Sequence, residues 1–207
     1  MSRFILSTVL ASSLLALCLG VEAEPAHHKS IAIIDASGLD PKVLVPVCEY
    51  VKGQLRVPVR VQHVKRFEAP FLRAFAKKLQ VYKQPDDVCV IVLVPGGNAI
   101  KLHSTVERDL QMATVNVSAL HSDDPVKMVK RLQRHVMRGV GFLFGLKPAP
   151  DPHCVTKHYR TLEDLDKMGM NYCPPSQGKF RAEALKRGMT VFTPPRPQVK
   201  RGADPLK

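Results

Sequence analysis

The sequence predicts an α/β fold with a mixed, mostly parallel sheet, and three observations carry that prediction. Apolar β-branched runs alternate with stretches of helical periodicity, "DDVCVIVLVPGG" (86–97) is the most strongly apolar strand in the chain, and a long helix at about 124–144 is bounded by signals at both ends. A β-α-β-α-β order implies parallel strands joined by crossover helices.

The elements follow in order. "SIAIIDA" (30–36) reads as a buried strand, and "GLDPKVLVPVCEYVKGQL" (38–55) as a helix capped by Asp40 with Pro41 in its first turn. "VPVRVQHV" (57–64) alternates like a second strand, and "APFLRAFAKKLQVYK" (69–83) spaces Phe71, Leu72, Phe75 and Leu79 on one helical face. After the strand at 86–97, whose "PGG" ending reads as a turn and not as a phosphate loop, comes a short element and then a strand at "QMATVNVSAL" (111–120). In the long helix Asp124 caps, Pro125 opens and Gly145 ends, while Val129, Leu132, Val136, Val140 and Leu143 share a face. Beyond it, "KPAPDPHC" is too rich in proline to be helical, and short helices are expected near "TLEDLDKMG" and "GKFRAEALKRG".

Residues 1–23 have the basic start, apolar run and small-residue end of a secretory signal peptide, with cleavage expected after Ala23. That leaves one domain over 24–189 and a proline-rich basic tail over 190–207, expected to be extended or disordered, with no transmembrane segment after signal removal. Export to a periplasmic or extracellular space favours disulfides for Cys48, Cys89, Cys154 and Cys173. Four cysteines permit three pairings, and the spacing does not choose among them.

The net charge of +13 fits either a basic solvated surface or an anionic partner: a peptide, a protein or a cell-envelope component. Nucleic acid is disfavoured, because the chain has no tryptophan and no aromatic-plus-basic repeat for stacking on bases.

The stretch "RHVMRGVGFLFGL" (134–146), followed by "CVT" (154–156), "LEDLDKMG" (162–169) and "YCPPS" (172–176), resembles the archaemetzincins. That family of metzincin peptidases has H-E-x-x-H-x-x-G-x-x-H-C, then C-x-M, then C-x-x-C holding a second zinc. The resemblance implies a zincin-like single domain with a former active-site helix and a small irregular C-terminal subdomain. With Gly145 on the turn glycine, Arg138 stands at the first histidine, Gly139 at the glutamate, Phe142 at the second histidine and Pro148 at the third. Ala149, Cys154 and Ser176 fall at the first, second and fourth cysteines, Cys173 within one residue of the third, and Thr156 at the methionine. A catalytic zinc needs about three protein ligands and a structural zinc about four, so no catalytic residue and no cofactor are expected.

A Cys154–Cys173 disulfide would replace the zinc staple, closing a loop of roughly 20 residues for about 3 kcal/mol. The alternative is a new zinc site recruiting His153 or His158 to Cys154 and Cys173. Cys48 and Cys89 either pair across the core or stay buried as thiols. Lys127, Lys130, Arg131, Arg134 and Arg138 share one side of the long helix, which reads as a solvated face; on the sharper reading Arg138, with Arg134, offers a guanidinium to a ligand carboxylate in the old cleft. His135 reads as a surface histidine. The expected function is binding by a non-catalytic, metallopeptidase-like protein; the alternatives are a zinc peptidase with non-standard ligands and a structural cationic envelope protein.

Overall fold

The structure is a computed structural model that describes residues 28–97 and 100–192. Residues 1–23, expected to be a signal peptide, and most of the expected tail, 193–207, lie outside the described residues. Among the described residues five strands and five α-helices follow one another: β1 Ser30–Asp35, α1 Pro41–Leu55, β2 Val59–His63, α2 Leu72–Leu79, β3 Asp87–Val94, β4 Ser104–Glu107, β5 Met112–Asn116, α3 Pro125–Leu143, α4 Leu162–Lys167 and α5 Pro174–Lys186. The sheet order is β2-β1-β3-β5-β4. Every pairing is parallel except that of the edge strand β4, which runs antiparallel to β5.

Helices cover both faces of this sheet, which is why its central strands carry almost no polar side chains. Ile31 and Ile33 of β1 and Cys89, Ile91 and Leu93 of β3 face the core shared with α1, α3 and the C-terminal segment. Their alternating neighbours Ala32, Ile34, Val90 and Val92 pack against α2 through Leu72, Phe75, Ala76 and Leu79. One row across the sheet, Ile33, Ile91 and Ala113, lies in register on the α3 face.

The ends of α3 are set locally. Asp124 Oδ1 accepts from the backbone N–H of Val126 at 2.8 Å and of Lys127 at 3.3 Å, with Pro125 at the first position. Gly145, at φ +79°, turns the chain out, and Leu146 N–H returns to Gly141 O at 2.9 Å.

Some boundaries differ from the sequence reading. The helix expected over 69–83 is α-helical only over Leu72–Leu79 and ends in a 3-10 turn at Gln80–Tyr82. The strand expected through residue 120 stops at Asn116, and a 3-10 turn follows at Ser118–Leu120. Helix α5 starts four residues early because Pro174 and Pro175 occupy its first turn, where no N–H is needed. In the expected tail, Phe192 N–H donates to Arg56 O at 2.8 Å and Val191 packs on the core, so the chain is docked through residue 192.

Candidate functional site

Helix α3 is buried on nearly all sides, and its cationic residues divide into two sets. Lys127 and Lys130 are exposed. Arg131, Arg134 and Arg138 are 7%, 6% and 8% exposed, which overturns the solvated-face reading for these three. The cause is the segment from 151 to 171, largely irregular around the short α4: its backbone carbonyls recruit Arg134 and Arg138, and its Asp166 carboxylate recruits Arg131.

The three guanidinium groups hold that segment at successive heights. Arg131 forms a bidentate ion pair with Asp166, Nε to Oδ1 at 2.8 Å and Nη2 to Oδ2 at 2.6 Å, and donates to His121 O at 2.9 Å. Arg134 donates to Asp166 O and Met168 O, each at 2.9 Å. Arg138 donates from Nη1 to Val155 O at 2.8 Å and to Lys157 O. Its guanidinium carbon lies 5.2 Å from the Phe142 ring centre and 4.9 Å from that of Tyr159. Burial pulls the Arg138 guanidinium below the usual arginine range, opposed by Tyr159 and Cys154. Arg138 is therefore packed between two rings and two carbonyls, and the reading in which it offers a free fork to a ligand carboxylate does not match its place. Arg134 is bonded in the same way, although it also borders a smaller pocket with Lys127 and Lys130.

Beside Arg138 sits a polar cluster that local sequence patterns could not reveal. Tyr159 Oη lies 2.8 Å from His103 Nδ1 and 3.0 Å from His135 Nε2. His135 is 1% exposed and no surface histidine; burial first, then Arg138 and His103, pushes its pKa well below the ordinary value. Its Nδ1 is buried without a hydrogen-bond partner. Burial also lowers His103 and raises Tyr159 to about 12. The three residues come from the start of β4, from α3 and from the irregular segment, 24 and 56 positions apart in their two contacts.

The other former motif positions are equally closed to metal. Phe142 is half-buried and Pro148 exposed. A Cβ on Gly139 would stand 3.1 Å from Ala113 Cβ and from Ile91 Cδ1, so the sheet has closed against the position where the pattern places a glutamate.

Cys154, Thr156, Cys173 and Ser176 do come together. The N–H of Cys173 donates to Cys154 Sγ at 3.2 Å, Thr156 Oγ1 lies 3.2 Å from the same sulfur, and Ser176 Oγ accepts from Cys154 at 3.8 Å and from Cys173 at 3.3 Å. Burial raises the Cys154 thiol, but the Cys173 N–H and the Thr156 hydroxyl outweigh it and the net shift is downward. Both sulfurs are thiols in this structure. Cys48 and Cys89 are separate buried thiols, raised by burial to about 11 and about 12. His153 and His158 line an adjacent pocket instead of completing a site with Cys154 and Cys173. Among the described residues no group of three or more His, Cys, Asp or Glu is arranged to hold a metal. The donor sets fit neither zinc of the archaemetzincin pattern: one has a guanidinium, a phenyl ring and a proline in place of three imidazoles, the other only two thiols.

No helix among the described residues is long and apolar enough to cross a membrane. No family model matches the sequence, and no curated protein matches it. Solved structures do match in three dimensions. Archaemetzincin from Methanopyrus kandleri superposes with a TM-score of 0.63 at 22% identity, covering 79% of this chain and 99% of that one. A zinc-dependent peptidase from Methanocorpusculum labreanum gives 0.63 at 17% identity, covering 72% and 99%. Archaemetzincin from Archaeoglobus fulgidus, complexed with malonate, gives 0.57 at 13% identity with the same coverage. At these identities the likeness is one of architecture, and the chain has an archaemetzincin-like fold.

Proposed function

We propose that this chain is an exported, metallopeptidase-like protein that acts by binding an anionic peptide, protein or envelope ligand and not by hydrolysis. The observation that carries this reading is Arg138. At the position of a first zinc ligand, a fixed positive charge is held by two carbonyls and two aromatic rings, and it would repel a metal cation. Gly139 supplies no carboxylate to activate water, and its surroundings leave little room for one. Arginine cannot act as a general base, since it stays protonated at any physiological pH. The basic balance of the chain supports an anionic ligand.

Elemental analysis of protein purified without chelator, together with a peptidase assay in added zinc, tests the proposal. The expected result is less than about 0.1 zinc per chain and no metal-dependent cleavage, against the full occupancy a three-ligand site maintains. One zinc per chain with chelator-sensitive cleavage would establish the peptidase alternative.

A further inference from the structure

The segment between α3 and α5, with α4 inside it, borders a half-open pocket of about 370 Å³. That volume lies in the range of sites for small ligands and is too small for a folded partner. Lys157, Arg160 and Lys167 line it with His153, His158 and Tyr159. The carboxylate in the lining, Asp164, is tied to backbone: its Oδ2 accepts from Arg160 N–H and Thr161 N–H, each at 3.2 Å, within the capping box of α4. Three cationic side chains thus border one small volume, and the carboxylate beside them is held by backbone, leaving a positive balance in the lining.

Two further features distinguish this pocket from scattered surface lysines. Two stretches of its lining are fastened to α3, one by Arg138 through the carbonyls of Val155 and Lys157, the other by Arg134 through those of Asp166 and Met168. The backbone carrying Lys157 and Lys167 is therefore held in place before any ligand arrives, which lowers the ordering cost of binding. In addition, Arg138 contacts the pocket residue Tyr159 and is bonded only to carbonyls and rings, so its buried charge adds to the positive field.

The geometry points to this pocket as a binding site for a compact polyanion, a ligand presenting clustered phosphate-type oxygens. An extended acidic peptide fits less well, because its carboxylates are spread along a chain whereas three cationic residues border one small volume. The inference deepens the binding reading and rests on it; zinc content and cleavage decide that reading, and the titrations below decide this site.

Tripolyphosphate is titrated calorimetrically into the full chain at low and high salt, beside the variant Lys157→Gln/Arg160→Gln/Lys167→Gln and a control, Lys52→Gln/Lys77→Gln/Lys78→Gln, on exposed positions of α1 and α2. One site per chain is expected, weakened roughly tenfold or more by the pocket variant and less than about twofold by the control, and weakened by salt. Vesicles containing phosphatidylglycerol are titrated in parallel. Pocket-dependent vesicle binding would assign the phosphate to a lipid headgroup, and binding of tripolyphosphate alone would assign it to a soluble ligand. Equal weakening by both variants, no tripolyphosphate binding, or pocket-dependent binding of hexaglutamate alone would overturn the proposal. Circular dichroism of each variant confirms that the fold is kept.

Discussion

The guanidinium carbon of Arg138 stands 4.9 Å from the centre of the Tyr159 ring, with Phe142 at 5.2 Å, so that a cation and two rings occupy the ground where the archaemetzincin pattern places metal ligands. The contact joins α3 to the irregular segment, and the hydrogen bonds to Val155 O and Lys157 O fix its direction. Removing the side chain leaves these carbonyls without their donor. Arg138→Met is expected to cost about 2–5 kcal/mol, and Arg138→Lys less, because an ammonium keeps the charge but not the planar stack. Urea midpoints measure both. A loss under about 0.5 kcal/mol for the methionine variant would show that the segment does not depend on this anchor.

Stability should fall with acid in a window set by His135. Burial, Arg138 and His103 all lower its pKa, so the native state refuses a proton that the unfolded state accepts. Above the unfolded value of about 6.5 both states are neutral and the contribution is fully present; below it, stability falls by up to about 1.4 kcal/mol per pH unit until the folded pKa is reached. His103, lowered by burial and Arg131, adds in the same direction. The depressed carboxylate of Asp166 acts only in a more acidic range. Urea midpoints between pH 7.5 and 5.5 are expected to drop for the native chain and to be flatter for His135→Gln. Equal slopes would mean that the buried cluster does not titrate in this window.

Oxidation should select Cys154 and Cys173. Their sulfurs share Ser176, and the Cys173 N–H donates to the Cys154 sulfur, whose thiol is shifted toward the thiolate, the attacking species in disulfide exchange. With oxidised glutathione, the half-buried Cys173 displaces one glutathione thiolate to form a mixed disulfide, and the buried Cys154 beside it displaces the second. Peptide mapping is expected to find this one bond, a stabilisation of about 3 kcal/mol, and intact thiols at Cys48 and Cys89, where burial opposes ionisation. Earlier modification of Cys48 or Cys89 would count against the pairing.

The parts of the fold legible in the sequence are those written in local signals. Asp124, Pro125 and Gly145 bound α3 where expected because a cap, a first-turn proline and a left-handed glycine each act within a few residues. The apolar run of β3 foretold a central strand for a comparably local reason. Motif spacing also brought Cys154, Thr156, Cys173 and Ser176 to one place. Charge at helical spacing reports a polar face, whereas the burial of the arginines follows from distant partners: carbonyls of residues 155–168 for Arg134 and Arg138, the Asp166 carboxylate for Arg131. A proline-rich segment after a helix bearing three arginines was the available sign, since unpaired carbonyls need donors. His103, Tyr159 and Asp166 gave no such sign, as their partners lie 24 to 56 residues away.

Gly139 tests whether the packing beneath α3 excludes a side chain at the position where the archaemetzincin pattern has glutamate. Ile91 and Ala113 are neighbours in the sheet, and a Cβ at residue 139 would meet both at 3.1 Å, closer than most real contacts. In Gly139→Ala, a gain of about 1 kcal/mol in helix propensity opposes an overpacking cost of roughly 1–3 kcal/mol, so the net effect is expected to be destabilising. Ile91→Val alone should cost about 1 kcal/mol through lost burial. Combining them places the new methyl beside the space vacated by Cδ1, and the double variant should be more stable than the sum of the singles by about 1 kcal/mol. Strict additivity would mean that Ile91 does not exclude a side chain there. Coupling of the expected sign would mean that any larger side chain at residue 139, a glutamate included, requires reshaping the sheet beneath α3.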